Sequence, residues 1–232
     1  MTMLSRFATL GGAPTDPYWT SVSYLLVGNG ANGTTTNIKD SSSNNIATTI
    51  FGNTVISTTQ SKFGSGSVYF DGVGDYLRCA TSSGFTFGTG DFTIEFWVYP
   101  TSFGIIRIVY DMRPSVEGYY PALYFSAAGN IIFYVNSTNV ITGSTLSTGS
   151  WQYITLCKSS GQTKLFLNGT QTGSTYTDSN NYLGGSSRPL IGEEATIGGY
   201  SFNGYLYDLR ITKGVARYTS NFTPPTAPLP IG

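Results

Sequence analysis

The stretch Phe92-Thr93-Ile94-Glu95-Phe96-Trp97-Val98-Tyr99-Pro100 decides the fold class. Read in steps of two, it sets Phe92, Ile94, Phe96 and Val98 on one face and Thr93, Glu95, Trp97 and Tyr99 on the other, which is the period of a β-strand. The first face is wholly apolar and belongs in a core. The second carries two large aromatic rings, so this strand is expected to pack on both sides. Trp97, and Trp151 at the head of a second strand, are expected to be largely buried.

Shorter runs of the same kind extend outward from it, at 21–27, 67–70, 76–79, 105–111, 122–126, 131–136, 151–158, 163–167, 170–174 and 202–212, with turn residues between nearly every pair. That spacing is expected of an antiparallel sandwich or barrel. Asn168-Gly169 joins two of the runs and accepts the positive φ angles of a type I′ hairpin turn. No segment presents a helix-period apolar stripe over three turns.

Composition agrees. Ser, Thr, Asn and Gly supply 102 of the 232 residues, and 17 Tyr and 14 Phe supply most of the aromatics. Thr and aromatic residues favour strands, whereas Gly, Asn and Ser favour turns. Lys+Arg and Asp+Glu are 12 each, so the net charge is zero, and there is no His. A basic nucleic-acid footprint is thereby excluded, as is any imidazole-dependent triad or metal site. Cys79 and Cys157 are too few for a disulfide framework and are expected to be buried free thiols. No run reaches membrane-spanning length and the first residues lack an apolar signal core, so synthesis and assembly in a cytoplasm are expected.

Six of the ten prolines lie in residues 1–20 and 219–232. We therefore read 1–20 as an N-terminal arm, 21–218 as one domain and 219–232 as a Pro-rich strap. Such segments are expected to gain little from the domain's own core and to bind a neighbouring surface through Tyr18, Trp19, Tyr218 and Phe222.

Four segments resemble the laminin-G-like, concanavalin A-like jelly-roll superfamily: 62–77, with Phe70-Asp71-Gly72; 92–100; Trp151-Gln152-Tyr153-Ile154 running into Leu165-Phe166-Leu167-Asn168-Gly169; and 197–211, with Tyr207-Asp208-Leu209-Arg210-Ile211. The resemblance covers about residues 21 to 215 and implies an all-β antiparallel sandwich, a jelly roll of two sheets, here with extended terminal arms. The ending 216–225 and the opening 12–19 are similar to laminin-G-like structural proteins of tailed bacteriophages. That likeness implies a virion protein, as a capsid decoration or tail-fibre adhesion module. Its expected partners are other virion proteins, copies of itself or host-surface glycans, without membrane insertion. A free-standing, calcium-dependent carbohydrate-binding lectin is the alternative, and a degraded glycosidase a third.

Glycoside hydrolysis needs two carboxyl groups placed across the sugar. The chain has four Glu (Glu95, Glu117, Glu193 and Glu194) and lacks the Glu-x-Asp-x-x-Glu strand of the laminarinase-like enzymes, so no enzymatic activity is expected. The family also implies calcium at the sheet rim. Asp40, Asp75 and Asp208 are the candidate ligands, with Asp71 beside them; Asn29 offers only a neutral oxygen where relatives carry an acid. Loop capping by Asp71 and Asp75, or an Asp208 ion pair with Arg210 or Arg78, would account for the same residues. Arg113, Tyr119 and Tyr120 in one loop, and Tyr176 and Tyr182 in another, are the candidate ligand-binding residues. Tyrosine among small polar groups suits sugar faces and adaptable protein interfaces alike.

Overall fold

The computed structural model describes residues 15–114, 118–194, 196 and 198–232. Arm residues 1–14, Ser115-Val116-Glu117 of the first aromatic loop, and Ala195 and Ile197 lie outside the described residues.

Among the described residues fifteen strands follow one another: β1 (Val22–Leu26), β2 (Thr48–Phe51), β3 (Val55–Ser57), β4 (Ser67–Asp71), β5 (Tyr76–Cys79), β6 (Phe92–Pro100), β7 (Arg107–Asp111), β8 (Ala122–Phe125), β9 (Asn130–Val135), β10 (Thr138–Thr145), β11 (Gln152–Ser159), β12 (Gln162–Leu167), β13 (Thr170–Thr177), β14 (Leu190–Ile191) and β15 (Asn203–Lys213). They form two antiparallel sheets. One has eight strands in the order β13-β12-β11-β6-β15-β4-β3, with β1 added on β15; the other has seven, in the order β10-β9-β8-β7-β14-β5-β2. Two short 3-10 turns, Trp19–Ser21 and Ser83–Phe85, are the helical elements among the described residues.

The sheets enclose one core. Phe92, Ile94, Phe96 and Val98 of β6 are fully buried in it, facing Leu123, Phe125, Ile131 and Phe133 of the other sheet. Each such side chain contributes about 1.5–3 kcal/mol on burial. The second face of β6 is covered too: Trp97 is 5% exposed and Glu95 is buried, so the strand packs on both sides as its sequence predicts. Trp151 departs from expectation and is half-buried, because it sits at the end of the sheet, at the margin of the Trp97, Tyr153 and Tyr207 cluster, with Tyr99 edge-on to its ring. Cys79 and Cys157 are free and buried. Burial pushes the Cys79 thiol up to about 12.

Strand β10 escaped the sequence reading. Its Thr-Asn-Val-Ile-Thr-Gly run places only Ile141 and Gly143 in buried positions, so its apolar periodicity is faint.

The terminal segments correct a second expectation. Residues 15–20 and 219–232, the described parts of the two arms, fold back on their own domain. Asp16 is buried, its carboxylate 2.8 Å from Arg210 and 2.7 Å from Arg217. Leu229 is 7% exposed and packs with Val22 and Leu25, with Trp19 alongside. Tyr218 stacks on Phe222 at 3.6 Å, and Phe222 leans on Tyr153 and Phe166. Only Tyr18, 44% exposed, stands out into solvent among the four proposed anchors. Proline withdraws N–H donors but still permits apolar packing, which is what the composition-based reading left out.

Candidate functional site

The outward face of the seven-stranded sheet carries the candidate site. Cross-strand pairing aligns Thr49, Arg78, Leu190, Asp111, Ala122, Tyr134 and Asn139 in one row. Ile108, Tyr124, Ile132 and Thr142 form a second row beside it. These positions alternate with the core residues of the same strands, so tyrosines on β8 and β9 face solvent because Leu123, Phe125, Ile131 and Phe133 face in.

A cleft of about 170 Å³ opens on this face, lined by Ile108, Arg113, Tyr124, Tyr134, Glu194 and Tyr200, with Ile106 at its edge. The Tyr124 and Tyr134 rings lie 6.1 Å apart at 65°. Tyr124 donates its hydroxyl proton to Asn139 Oδ1 at 2.7 Å. Partial burial raises the Tyr124 phenol above its ordinary value, so it remains a neutral donor. Arg113 grips the buried Asp111 carboxylate through Nε at 2.9 Å and Nη2 at 2.6 Å, and its guanidinium lies 5.0 Å from the Tyr134 ring centre. Arg188 fixes the same loop by donating to the carbonyls of Arg113 and of Pro114, the latter at 2.8 Å. Tyr200, 40% exposed, is held by its backbone, whose carbonyl accepts from Ile108 N–H at 2.8 Å.

Of the residues read from the sequence, Arg113 lines this cleft. Tyr119 and Tyr176 instead border a shallower hollow of about 270 Å³ with Asn136, Thr138 and Asn180. Tyr120 packs against the core. Tyr182 is corrected outright: it is fully buried, donates to Asp178 Oδ2 at 2.8 Å and meets Phe92 edge-on, so it is a core residue out of reach of a ligand. Tyr124, Tyr134, Tyr200 and Glu194 were not anticipated. The alternation of β8 and β9 held the signal for the first two, since each Tyr occupies an outward position between core residues.

The three calcium candidates do not converge, and among the described residues no three Asp, Glu or Cys side chains form a metal-holding group. Asp40 instead organises the loop after β1, accepting from the N–H groups of Leu25 (3.0 Å), Ser42 (2.8 Å) and Ile46 (2.7 Å). Asp75 accepts from the N–H groups of Asn53 and Asp71, and Asp71 caps its own turn at Val73 N–H. Asp208 accepts from Leu229 N–H at 2.7 Å. Two of the four glutamates are also engaged in structure. Glu95 is buried against Arg210 and accepts from the Tyr153 hydroxyl at 2.6 Å, and Glu193 accepts from the Ser201 hydroxyl.

Comparison with known proteins places this geometry. No curated protein sequence is significantly similar to the chain. Among solved structures, the binding domain of paraclostridial mosquitocidal protein 1 superposes with a TM-score of 0.63 at 15% identity, over 85% of this chain and 50% of that one. Domain 4 of a GH43 extracellular arabinanase from Geobacillus stearothermophilus, solved in complex with arabinotriose, superposes with a TM-score of 0.62 at 16% identity, over 84% of this chain and 94% of that one. A structure described by the dependence of botulinum neurotoxin type C cell entry on two ganglioside molecules gives a TM-score of 0.56 at 12% identity, over 85% and 49%. The chain thus spans about half the length of these toxin domains, and at such identities the likeness is one of fold. The family model covers residues 70–217, from the end of β4 through β15, more than half the chain. With two antiparallel sheets around one core, this protein belongs to the concanavalin A-like lectin/glucanases superfamily.

Proposed function

We propose that the chain is a non-catalytic carbohydrate-binding module that takes a saccharide in the cleft on the outward face of the seven-stranded sheet. The observation that carries this reading is the convergence of Tyr124, Tyr134 and Tyr200 on a solvent-facing surface beside Arg113 and Glu194. Tyrosine rings offer an apolar platform for the C–H face of a sugar, and the polar groups around them can bond its hydroxyls. The arabinotriose complex of the arabinanase domain supports a saccharide ligand for this fold. Glu95 is engaged by Arg210, and Glu193 by the Glu194 N–H and the Ser201 hydroxyl, so among the described residues Glu194 is the one glutamate lining the cleft; glycoside hydrolysis needs a pair of carboxyl groups, which supports a non-catalytic role.

The setting we propose is a bacteriophage particle, with host-surface glycans as ligands and other virion proteins or further copies of the chain as neighbours. It rests on the phage-like segments 12–19 and 216–225, and detecting the chain by mass spectrometry in purified particles would test it.

Binding is tested by affinity electrophoresis of the purified chain through gels containing arabinan, galactan, xylan or β-glucan. At least one polysaccharide should retard it. Tyr124→Ala and Tyr134→Ala should each weaken retention by about two- to tenfold, the worth of one aromatic contact, with little change in melting temperature. Free migration in every gel, or retention untouched by both substitutions, would overturn the reading.

A further inference from the structure

Strand β15 changes partners midway. Residues 203–206 pair with β4 and residues 209–212 with β1, and Asp208 sits in the bulge between them with φ of +52°. Its carboxyl group is fully buried. Oδ2 accepts from Leu229 N–H at 2.7 Å, whereas Oδ1 is buried with no hydrogen-bond partner. Leu229 lies between Pro228 and Pro230, so its N–H is the one backbone donor in that triplet. Leu229 covers the apolar strip of Val22 and Leu25, and the Gly232 carbonyl accepts from Asp16 N–H at 3.1 Å. The end of the strap is thus held by one carboxyl group, one small apolar contact and one backbone bond.

We propose that residues 226–232 form a pH-sensitive latch, closed over β1 while the Asp208 carboxyl group is neutral and opened as it ionises. A buried carboxylate with one donor and one unpaired oxygen is costly, and water reaches it only when the segment above lifts. Burial raises this carboxyl to about 7, with the Leu229 N–H and the Arg210 charge acting the other way and Glu95 adding to the rise. Arg210 on the same strand, Glu95 on β6 and the neighbouring Tyr207 phenol are the titratable groups that face it; the one titratable side chain of β1, Tyr24, is turned into the core between the sheets, and residues 226–232 carry no titratable side chain. In the opened state the carboxyl returns toward its ordinary value of 3.8, so rising pH favours opening up to about 7. Opening would expose Val22 and Leu25 and withdraw the Gly232 carbonyl from Asp16.

Hydrogen exchange of the Leu229 amide, divided by its intrinsic rate at each pH, tests the latch on the full chain. Protection should fall on the order of tenfold between pH 5.5 and 8.5. In Asp208→Asn the amide oxygen still accepts from Leu229 and Asn tolerates the positive φ, so protection should be independent of pH. A wild-type protection factor that does not change with pH, or the same fall in Asp208→Asn, would overturn the proposal.

Discussion

Asp40 and Trp97 illustrate how single side chains acquire their roles. Asp40 is an acid that resembles a metal ligand in sequence, yet both of its oxygens are occupied by donors from β1 and from the chain that follows it. Asp40→Ala would strand three buried N–H groups and should lower stability by about 3 kcal/mol or more, read from denaturant unfolding. Chelator should leave the melting temperature of the wild type unchanged; a drop restored by calcium would show that these aspartates bind metal after all. Trp97 lies under the Lys62 ammonium at 3.8 Å and against the edge of Phe63. Trp97→Ala should cost about 3–5 kcal/mol. Burial of Trp97 was legible in the alternation of its strand. The role of Asp40 was not, because carboxylates that bond N–H groups and carboxylates that bind cations share the same local sequence, and only the path of the loop separates them.

Strands and turns were legible where local chemistry was one-sided. The Asn168-Gly169 hairpin has φ of +51° and +77°, as the residue pair predicts, and β6 has the inward and outward faces that its alternation requires. Legibility failed for β10, whose weak pattern is completed by pairing with β9, and for the cleft, which combines β8, β9, the 113–114 turn and residues 194 and 200. Such a site is a product of register between distant strands, and nothing in one segment announces it. The hairpin also supports the strap: Gly169 O accepts from Phe222 N–H at 2.9 Å, and a Cβ at Gly169 would lie 2.0 Å from the Phe222 carbonyl oxygen. Gly169→Ala therefore combines an unfavourable φ with a backbone clash. It should cost roughly 2–4 kcal/mol and raise the rate of proteolytic cleavage within 219–232. Wild-type resistance in that variant would mean the strap is held without this contact.

Across the whole molecule, the outer face of the eight-stranded sheet is sealed by segments from both ends of the described chain. Asp16 and Glu95 share Arg210 beneath them, and Arg217, just ahead of the strap, bonds Asp16 as well. Removing one member of such a buried set leaves an uncompensated charge, so Glu95→Gln should destabilise by about 3–5 kcal/mol. The same network sets how closure depends on pH. Burial alone would raise the Asp16 carboxyl, but the Arg217 hydrogen bond, the Tyr18 N–H and the Arg210 charge together bring it below its ordinary 3.8. Its contribution is therefore full above about 3.8 and is lost as pH falls through the depressed value. Asp208 runs the other way: its contribution is full below 3.8 and is lost as pH rises to about 7. The two trends meet near pH 4, where both terminal segments should be held most firmly. Hydrogen exchange of peptides spanning 15–21 and 219–232, corrected for intrinsic rates, should show protection rising as pH is lowered from 7 toward 4 and falling again below it. Asp208→Asn should flatten the limb above pH 4 and keep the limb below it, since Asp16 and its two arginines are untouched. A single monotonic trend in the wild type, or loss of both limbs in the variant, would show that these two carboxylates do not hold the ends independently.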